Sequence, residues 1–312
     1  MILLDLSMAL MRTIFMNEQQ VRDTPEFVSH IVLTQLTSFA SKFGASKKNP
    51  LVAVMDSSSW RKKYYEENKG KFPDLANESY KGQRVRSDKY DWDTIFRIYN
   101  ETMEGIKLHS DFFVMKVDGA EADDIIACLA KEFKERETIW VVSSDKDFIQ
   151  LQDPPRVNLF DQHKQVFRPT MDVEQWKKVH ILTGDSGDNI KPVRKGVGEK
   201  TAIKMIKELD VLLQTNPDLK ARYEFNETLI DFSRIPDYVC GNILDEYAKQ
   251  QFLYNGSKLL STFIKFKLVK HAEGIDRFKL SDKEIKTKIN SHYNEIQRIE
   301  EISKSNLEEF FS

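Results

Sequence analysis

Residues 112–145 read FFVMKVDGAEADDIIACLAKEFKERETIWVVSSD. An apolar run (112–117) gives way to an acidic, Gly-containing turn. Ala122, Ile125, Ile126, Leu129 and Phe133 then recur at helical spacing, and a second apolar run (138–142) leads to Asp145. Short, continuously apolar runs suit strands buried on both faces, and an amphipathic helix between two of them implies neighbouring parallel strands. The same alternation extends towards the N-terminus. Apolar runs recur at 2–4 and 51–55, and helical patterns occur at Phe27, Val28, Ile31, Phe39, Ala40 and Phe43, and at Trp92, Ile95, Phe96, Tyr99, Met103 and Ile106. VNLFDQHKQVF (157–167) predicts a β-hairpin. After about Pro169 the pattern turns helical, with candidates at 176–182, 202–209, 229–248 and 258–268. The expected fold class is α/β, a mostly parallel central sheet flanked by helices, followed by a helical C-terminal domain.

Three apolar runs lead into an aspartate: Asp5, Asp56 and Asp145. Parallel strands end on one common edge, where open α/β sheets bind ligands. Asp147 follows in SSDKD. GAEADD (119–124) adds Glu121, Asp123 and Asp124, with Glu121 and Asp124 on one helical face, and TGDSGDN (183–189) adds Asp185 and Asp188. One such aspartate alone is an ordinary cap or turn residue. Nine collected in one cleft would repel each other unless cations intervene. Mg²⁺ takes oxygen ligands and keeps several waters, and two ions about 4 Å apart can activate water and stabilise a leaving phosphate oxygen.

Basic residues gather elsewhere. KPVRKGVGEKTA (191–202) combines a Gly196/Gly198 turn with a helix start whose amides can hold a phosphate, surrounded by Arg194, Lys195, Lys200 and Thr201. It is not a Walker A loop, since Glu199 stands where that motif needs Gly. The stretch 60–86 carries eight Lys/Arg against four Asp/Glu, with Tyr64, Tyr65, Phe72 and Tyr80 interleaved. Its Gly and Pro interruptions predict a mobile insertion whose cations meet phosphates and whose aromatics stack on bases. Over 312 residues, 47 Lys+Arg against 49 Asp+Glu give a net charge of only −2, so the two signs are segregated rather than scarce. No run reaches the roughly 18 apolar residues of a membrane span, and Asp5 interrupts any signal-peptide core. Six scattered histidines form no HExxH. Cys128 and Cys240 sit in apolar helical patterns and are expected to be free thiols, in a soluble protein of a reducing compartment.

Taken together, GAEADDIIA, SSDKDFIQL, LTGDSGDN and GVGEKTA resemble, in order and spacing, the structure-specific 5′ nucleases (flap endonucleases), and most closely their T-even-phage ribonuclease H branch. IDFSRIPDYVCGNI (230–243) and SKLLSTFIKFKL (257–268) resemble the same branch, so the likeness covers about residues 1–270. The resemblance implies a PIN-like catalytic domain over 1–168, with a basic arch insertion at about 60–90. A helical DNA-binding domain over 169–270 would contain a helix–three-turn–helix element, and 271–312 would form a charged helix and tail. It implies that Asp56, Glu121, Asp123, Asp124 and Asp145 lie near a catalytic Mg²⁺, with Asp5 orienting waters, while Asp147, Asp185 and Asp188 serve a second Mg²⁺; Mn²⁺ is the expected substitute. Lys81 and Arg84 of YKGQR (80–84) would meet the scissile phosphate, and Arg12 would face substrate. GVGEKTA would grip duplex backbone, with K⁺ at its turn.

The implied activity is Mg²⁺-dependent 5′→3′ exonuclease and flap-endonuclease hydrolysis at single-strand/duplex junctions, removing RNA primers in phage DNA replication. The expected partners are DNA and RNA/DNA hybrids with 5′ flaps, together with a single-stranded-DNA-binding protein, and the expected state is a monomer in the host-cell cytoplasm. KSNLEEFF (304–311) places Leu307, Phe310 and Phe311 at the spacing of a sliding-clamp-binding peptide. Two other readings are open: a junction-binding protein without strong catalysis, and a Mg²⁺-dependent small-molecule phosphohydrolase using Asp145-x-Asp147.

Overall fold

The computed structural model describes residues 1–84 and 86–289. Five parallel strands are buried from end to end: β1 (Ile2–Asp5), β2 (Leu51–Val54), β3 (Phe113–Met115), β4 (Ile139–Val142) and β5 (Val157–Asp161). Burial on both faces is what their unbroken apolar runs require. The hairpin expected at 157–167 closes as β6 (Val166–Phe167), antiparallel to β5 at the edge. The order is β3-β2-β1-β4-β5-β6, with Leu4 beside Ala53 on one side and Val142 on the other. The chain therefore builds outward from β1 to β3 and then crosses back to lay β4 against β1. Asp5 ends β1 and Asp145 follows β4 by three residues, so both stand where the strand order reverses, the usual ligand crevice of an open α/β sheet.

Alternate residues of each strand face opposite sides. On one side Ile2, Leu4, Leu51, Ala53 and Val142 pack against α1 (Leu6–Met16), α3 (Glu26–Lys42) and α5 (Trp92–His109), with the short α2 (Glu18–Asp23) linking the first two. On the other side Met1, Leu3, Val52, Val54 and Val141 meet α6 (Ala122–Phe133) and Trp60, the first residue of α4 (Trp60–Asn68).

The helical second half runs through α7 (Val173–Thr183), α8 (Glu199–Ile206), α9 (Leu209–Thr215) and α10 (Pro217–Ile230). The helical pattern at 229–248 is broken in the structure. Asp231 caps a 3₁₀ turn (Phe232–Arg234), and Pro236, which cannot continue a helix, opens α11 (Asp237–Ala248). α11 then returns to the sheet and packs Val239 and Ile243 beside α6. α12 (Gly256–Lys265) lies on α5 at Gly105, where a β-carbon would come within 2.5 Å of the Thr262 methyl. α13 (Val269–Glu273) and Phe278 complete that face.

Two expectations are corrected here. Cys128 on α6 and Cys240 on α11 form a disulfide across 112 residues of sequence, so they are not free thiols. Both read as apolar helix positions because both face the same core, and nothing local in the sequence shows that α11 comes back to α6. Nor is 60–80 a mobile loop. Trp60, Arg61, Tyr65, Leu75 and Tyr80 are buried, and Tyr64 and Phe72 pack on Phe225 of α10 at 5.8 and 5.0 Å between ring centroids. Tyr64, Tyr65, Phe72, Leu75 and Tyr80 form a third core with Ile181, Leu182, Val193, Val197 and Ala202, so these aromatics serve packing rather than base stacking. The terminal peptide with Leu307, Phe310 and Phe311 lies outside the described residues.

Candidate metal centre at the sheet edge

At the C-terminal edge of the sheet the strand ends open into a cleft of about 720 Å³, lined by Asp5, Asp56, Glu121, Asp123, Asp145, Asp147 and Asp188, with Lys81 and Arg84 opposite. Local hydrogen bonds set the first group. Asp5 caps α1 by accepting from the Met8 amide at 3.0 Å and takes the Ser143 hydroxyl at 2.8 Å. The Asp56 amide donates to the Ser7 hydroxyl (2.8 Å), while its carboxylate accepts from the Ala122 amide at the start of α6 (2.8 Å). Asp145 accepts from the Asp147 amide at 2.9 Å. Burial, reinforced by Asp56 and Asp145, pushes the Asp5 carboxyl up to about 7. Burial and then Asp147 raise Asp145 to about 6.

Across the cleft the carboxylates are held by cations. Arg61, 1% exposed, places Nη1 2.7 Å from Asp124, 3.3 Å from Glu121 and 3.5 Å from Asp123. Its Nε donates to the Leu229 carbonyl at 2.9 Å. Asp124 also accepts from Trp60 Nε1 (3.1 Å) and the Glu121 amide (2.9 Å), so this fully buried carboxylate braces the first turn of α6 and is not on the cleft wall. The Tyr80 hydroxyl lies 2.9 Å from both Glu121 and Asp188. Lys81 pairs with Glu121 and stands 3.5 Å from Asp188, whose other oxygen accepts from Arg84 at 2.7 Å. Burial disfavours both charges of the Lys81–Glu121 pair, but mutual attraction outweighs it: Lys81 is raised, and Glu121, held also by Arg61, falls to about 2.

Asp147, His180 and Asp185 make a third group, with ligand atoms all within 4.8 Å of one another. Asp185 is buried at the loop after α7, where Gly184 takes φ +69° and a β-carbon would strike the Ile190 carbonyl at 2.2 Å. Burial pulls the His180 imidazole down, but Asp147 and Asp185 outweigh it and raise it to about 9.

The donor set fits hard divalent cations. Seven carboxylates share one cleft, the burial-driven rise at Asp5 and Asp145 reflects charge that no neighbouring base offsets, and hard ions prefer such oxygen donors. Asp5, Asp56, Glu121, Asp123, Asp145, Asp147 and Asp188 are thus brought together, while Asp185 stands beside Asp147 in the His180 group and Asp124 stands behind the wall.

Arg12 is half-buried on α1 and is not on the cleft wall; Met8, Met11 and Phe15 present that helix to the cleft instead. Arg194, Lys195, Gly196 and Gly198 are exposed on the loop between α7 and α8, and Lys200 is exposed in the first turn of α8. Val193, Val197 and Ala202 anchor this loop in the third core, and Gly196 takes φ +86°. Thr201 lies in the first turn of α8. Sequence reading missed Arg61, Tyr80 and His180. It also missed a wall where Trp92 and Phe96 stack at 5.8 Å with the Arg86 guanidinium 5.1 Å from Phe96. Arg61 stood unmarked in the basic run WRKKYY, and only its burial sets it apart.

Residues 1–179 match the family described as 5′-3′ exonuclease, N-terminal resolvase-like domain, and residues 170–278 match that described as T4 RNase H, C terminal. Ribonuclease H of Enterobacteria phage T4 is 29% identical over 279 residues, covering 80% of this chain and 86% of that protein. The 5′-3′ exonuclease of Mycoplasmopsis pulmonis is 32% identical over 167 residues, 48% of this chain and 53% of that protein. Among solved structures, the T5 D15 protein co-crystallised with metal ions superposes with a TM-score of 0.58 at 19% identity, covering 87% of this chain and 98% of that one, a likeness of fold. An acidic sheet edge joined to both family matches leaves one assignment: this chain belongs to the 5′-3′ exonuclease family of hydrolytic nucleases.

Proposed function

We propose that the chain is a Mg²⁺-dependent 5′ nuclease that hydrolyses phosphodiesters where a 5′ single strand, DNA or RNA, leaves a duplex. The observation that carries this reading is the convergence of seven carboxylates at the sheet edge with Lys81 and Arg84 facing them. Asp5, Asp56, Glu121, Asp123 and Asp145 would hold one divalent ion, and Asp147, Asp185 and Asp188 a second. When bound, such ions activate water and polarise the scissile phosphate. The protein's own part is positioning. Ser143 and the Met8 amide orient Asp5, Arg61 locks the start of α6 so that Glu121 and Asp123 keep their places, and Lys81 and Arg84, paired here with Glu121 and Asp188, would be the cations available to the phosphate.

The loop from Arg194 to Thr201 would grip duplex phosphates as a helix–three-turn–helix, with K⁺ at its glycine turn, and Arg12 would stand beside the approaching strand. The proposed division is a catalytic domain over 1–168, a DNA-binding domain over 169–270 and a tail over 271–312. Primer removal in the cytoplasm of a phage-infected cell, as a monomer working with a single-stranded-DNA-binding protein, is the role consistent with this chemistry. A contact of Leu307, Phe310 and Phe311 with a sliding clamp is proposed on sequence alone. No described helix is long and apolar enough to cross a membrane.

A 5′-labelled flap duplex tests the activity. Short 5′ oligonucleotides should appear with Mg²⁺ and vanish with chelator. Binding without cleavage under all metal conditions would favour a junction-binding protein, and turnover of small phosphate esters alone a phosphohydrolase.

A further inference from the structure

One donor in the Asp147 group is not an oxygen. His180 lies on α7, five residues before Asp185, and is 6% exposed, with Trp176 stacked on its ring at 4.9 Å. Its Nε2 approaches Asp147 Oδ1 to 3.3 Å and Asp185 Oδ2 to 3.2 Å. Yet Nε2 and Asp147 Oδ1 are both buried without a hydrogen-bond partner of acceptable geometry. Buried polar atoms that converge unpaired call for a missing partner. Adjacent donors bonded to one ion at about 2.0–2.1 Å stand roughly 2.8–3.0 Å apart in octahedral and roughly 3.3–3.4 Å apart in tetrahedral coordination, and the two approaches of Nε2, 3.3 and 3.2 Å, fall within that span. The packing of Trp176 fixes the ring so that Nε2 stays aimed between the two carboxylates. Lys146, with Nζ 3.3 Å from Asp185 and its side chain 57% exposed, is free to swing away when an ion arrives.

We propose that His180 Nε2 is a nitrogen ligand to the cation shared by Asp147 and Asp185, so that this site holds a mixed nitrogen–oxygen set and favours Mn²⁺ or a similar borderline ion over Mg²⁺. The preference follows from ligand type, since imidazole suits transition metals whereas Mg²⁺ seeks oxygen. The inference rests on the reading above that these carboxylates hold a cation, and it adds which ion the second position selects.

Pulsed electron paramagnetic resonance of the full-length chain loaded with Mn²⁺ tests it directly. Among the described residues no histidine lines the main cleft, so nitrogen-14 coupling that His180→Gln abolishes reports on a bound His180 imidazole. The expected result is such coupling in the wild type and its loss in His180→Gln, with Mn²⁺ affinity at this site reduced about tenfold and Mg²⁺ affinity far less changed. Mn²⁺ bound in a manner that Asp185→Asn abolishes, but without nitrogen coupling in the wild type, would overturn the proposal: His180 would then be an imidazolium strap between two carboxylates, and the metal-dependent reading would stand. No Mn²⁺ binding at all would overturn both.

Discussion

At the scale of single residues, Arg61 shows how the acidic site is kept together. A fully buried guanidinium surrounded by Glu121, Asp123 and Asp124 offsets charge that the fold would otherwise have to expose or protonate. Breaking a buried ion pair by removing one partner costs about 3–5 kcal/mol, because the other charge is left uncompensated. Arg61→Met should therefore lower unfolding free energy by about that amount in denaturant titration; a loss under about 1 kcal/mol would show that water or a rearranged Lys81 compensates. Most of the carboxylates were legible in the sequence because they end or follow a strand or open a helix, positions that local patterning reveals, while Asp185 and Asp188 stood out only in the motif TGDSGDN after a helix. Arg61, Tyr80 and His180 were not. Their roles depend on burial beside residues brought from elsewhere in the chain, up to 168 positions away for Arg61, and in sequence each looks like an ordinary member of a basic run, an aromatic loop or a helix.

At the scale of elements, short-range signals gave the strands, the hairpin and most helices, because continuous apolar runs and period-3.6 patterns reflect local burial. What they did not give was how the late helices dock. α11 returns to α6 and joins it through Cys128–Cys240, while α12 and α13 cover α5 and α3. α13 carries a measurable sign of that docking. His271 is buried, with Nε2 3.0 Å from the His30 carbonyl on α3, and burial pushes its imidazole down to about 4. The unfolded chain holds the proton with a pKa near 6.5, so below that value the unfolded state gains protons that the native state refuses. The contribution is complete above about pH 6.5 and is lost progressively as pH falls towards 4. Allowing for partial solvent screening, stability should fall by about 1 kcal/mol between pH 7 and pH 5. His271→Gln should flatten that slope in thermal unfolding at the two pH values; an unchanged slope would assign acid sensitivity to other groups.

At the scale of the whole molecule, a net charge of −2 hides a division of labour. Acid is concentrated along the C-terminal sheet edge, where strand reversal opens the crevice. Exposed base stands on the loop between α7 and α8, and Lys81 and Arg84 bridge the two regions. Such a surface can bind a polyanion in spite of its overall sign, because binding follows the local field rather than the sum. On the proposed function, the exposed bases of the loop between α7 and α8 would grip duplex phosphate at a distance from the sheet edge where the cations would sit. The most direct test of the account is a paired measurement on Asp145→Asn. This substitution removes one cleft charge while preserving shape, and cleavage of a 5′-flap duplex with Mg²⁺ is measured alongside affinity for the same duplex. The account predicts a loss of cleavage of roughly a thousandfold, the several kcal/mol that a metal contributes to such a step, with duplex affinity changed less than about threefold. Full cleavage by Asp145→Asn would contradict the placement of the reaction at this sheet edge.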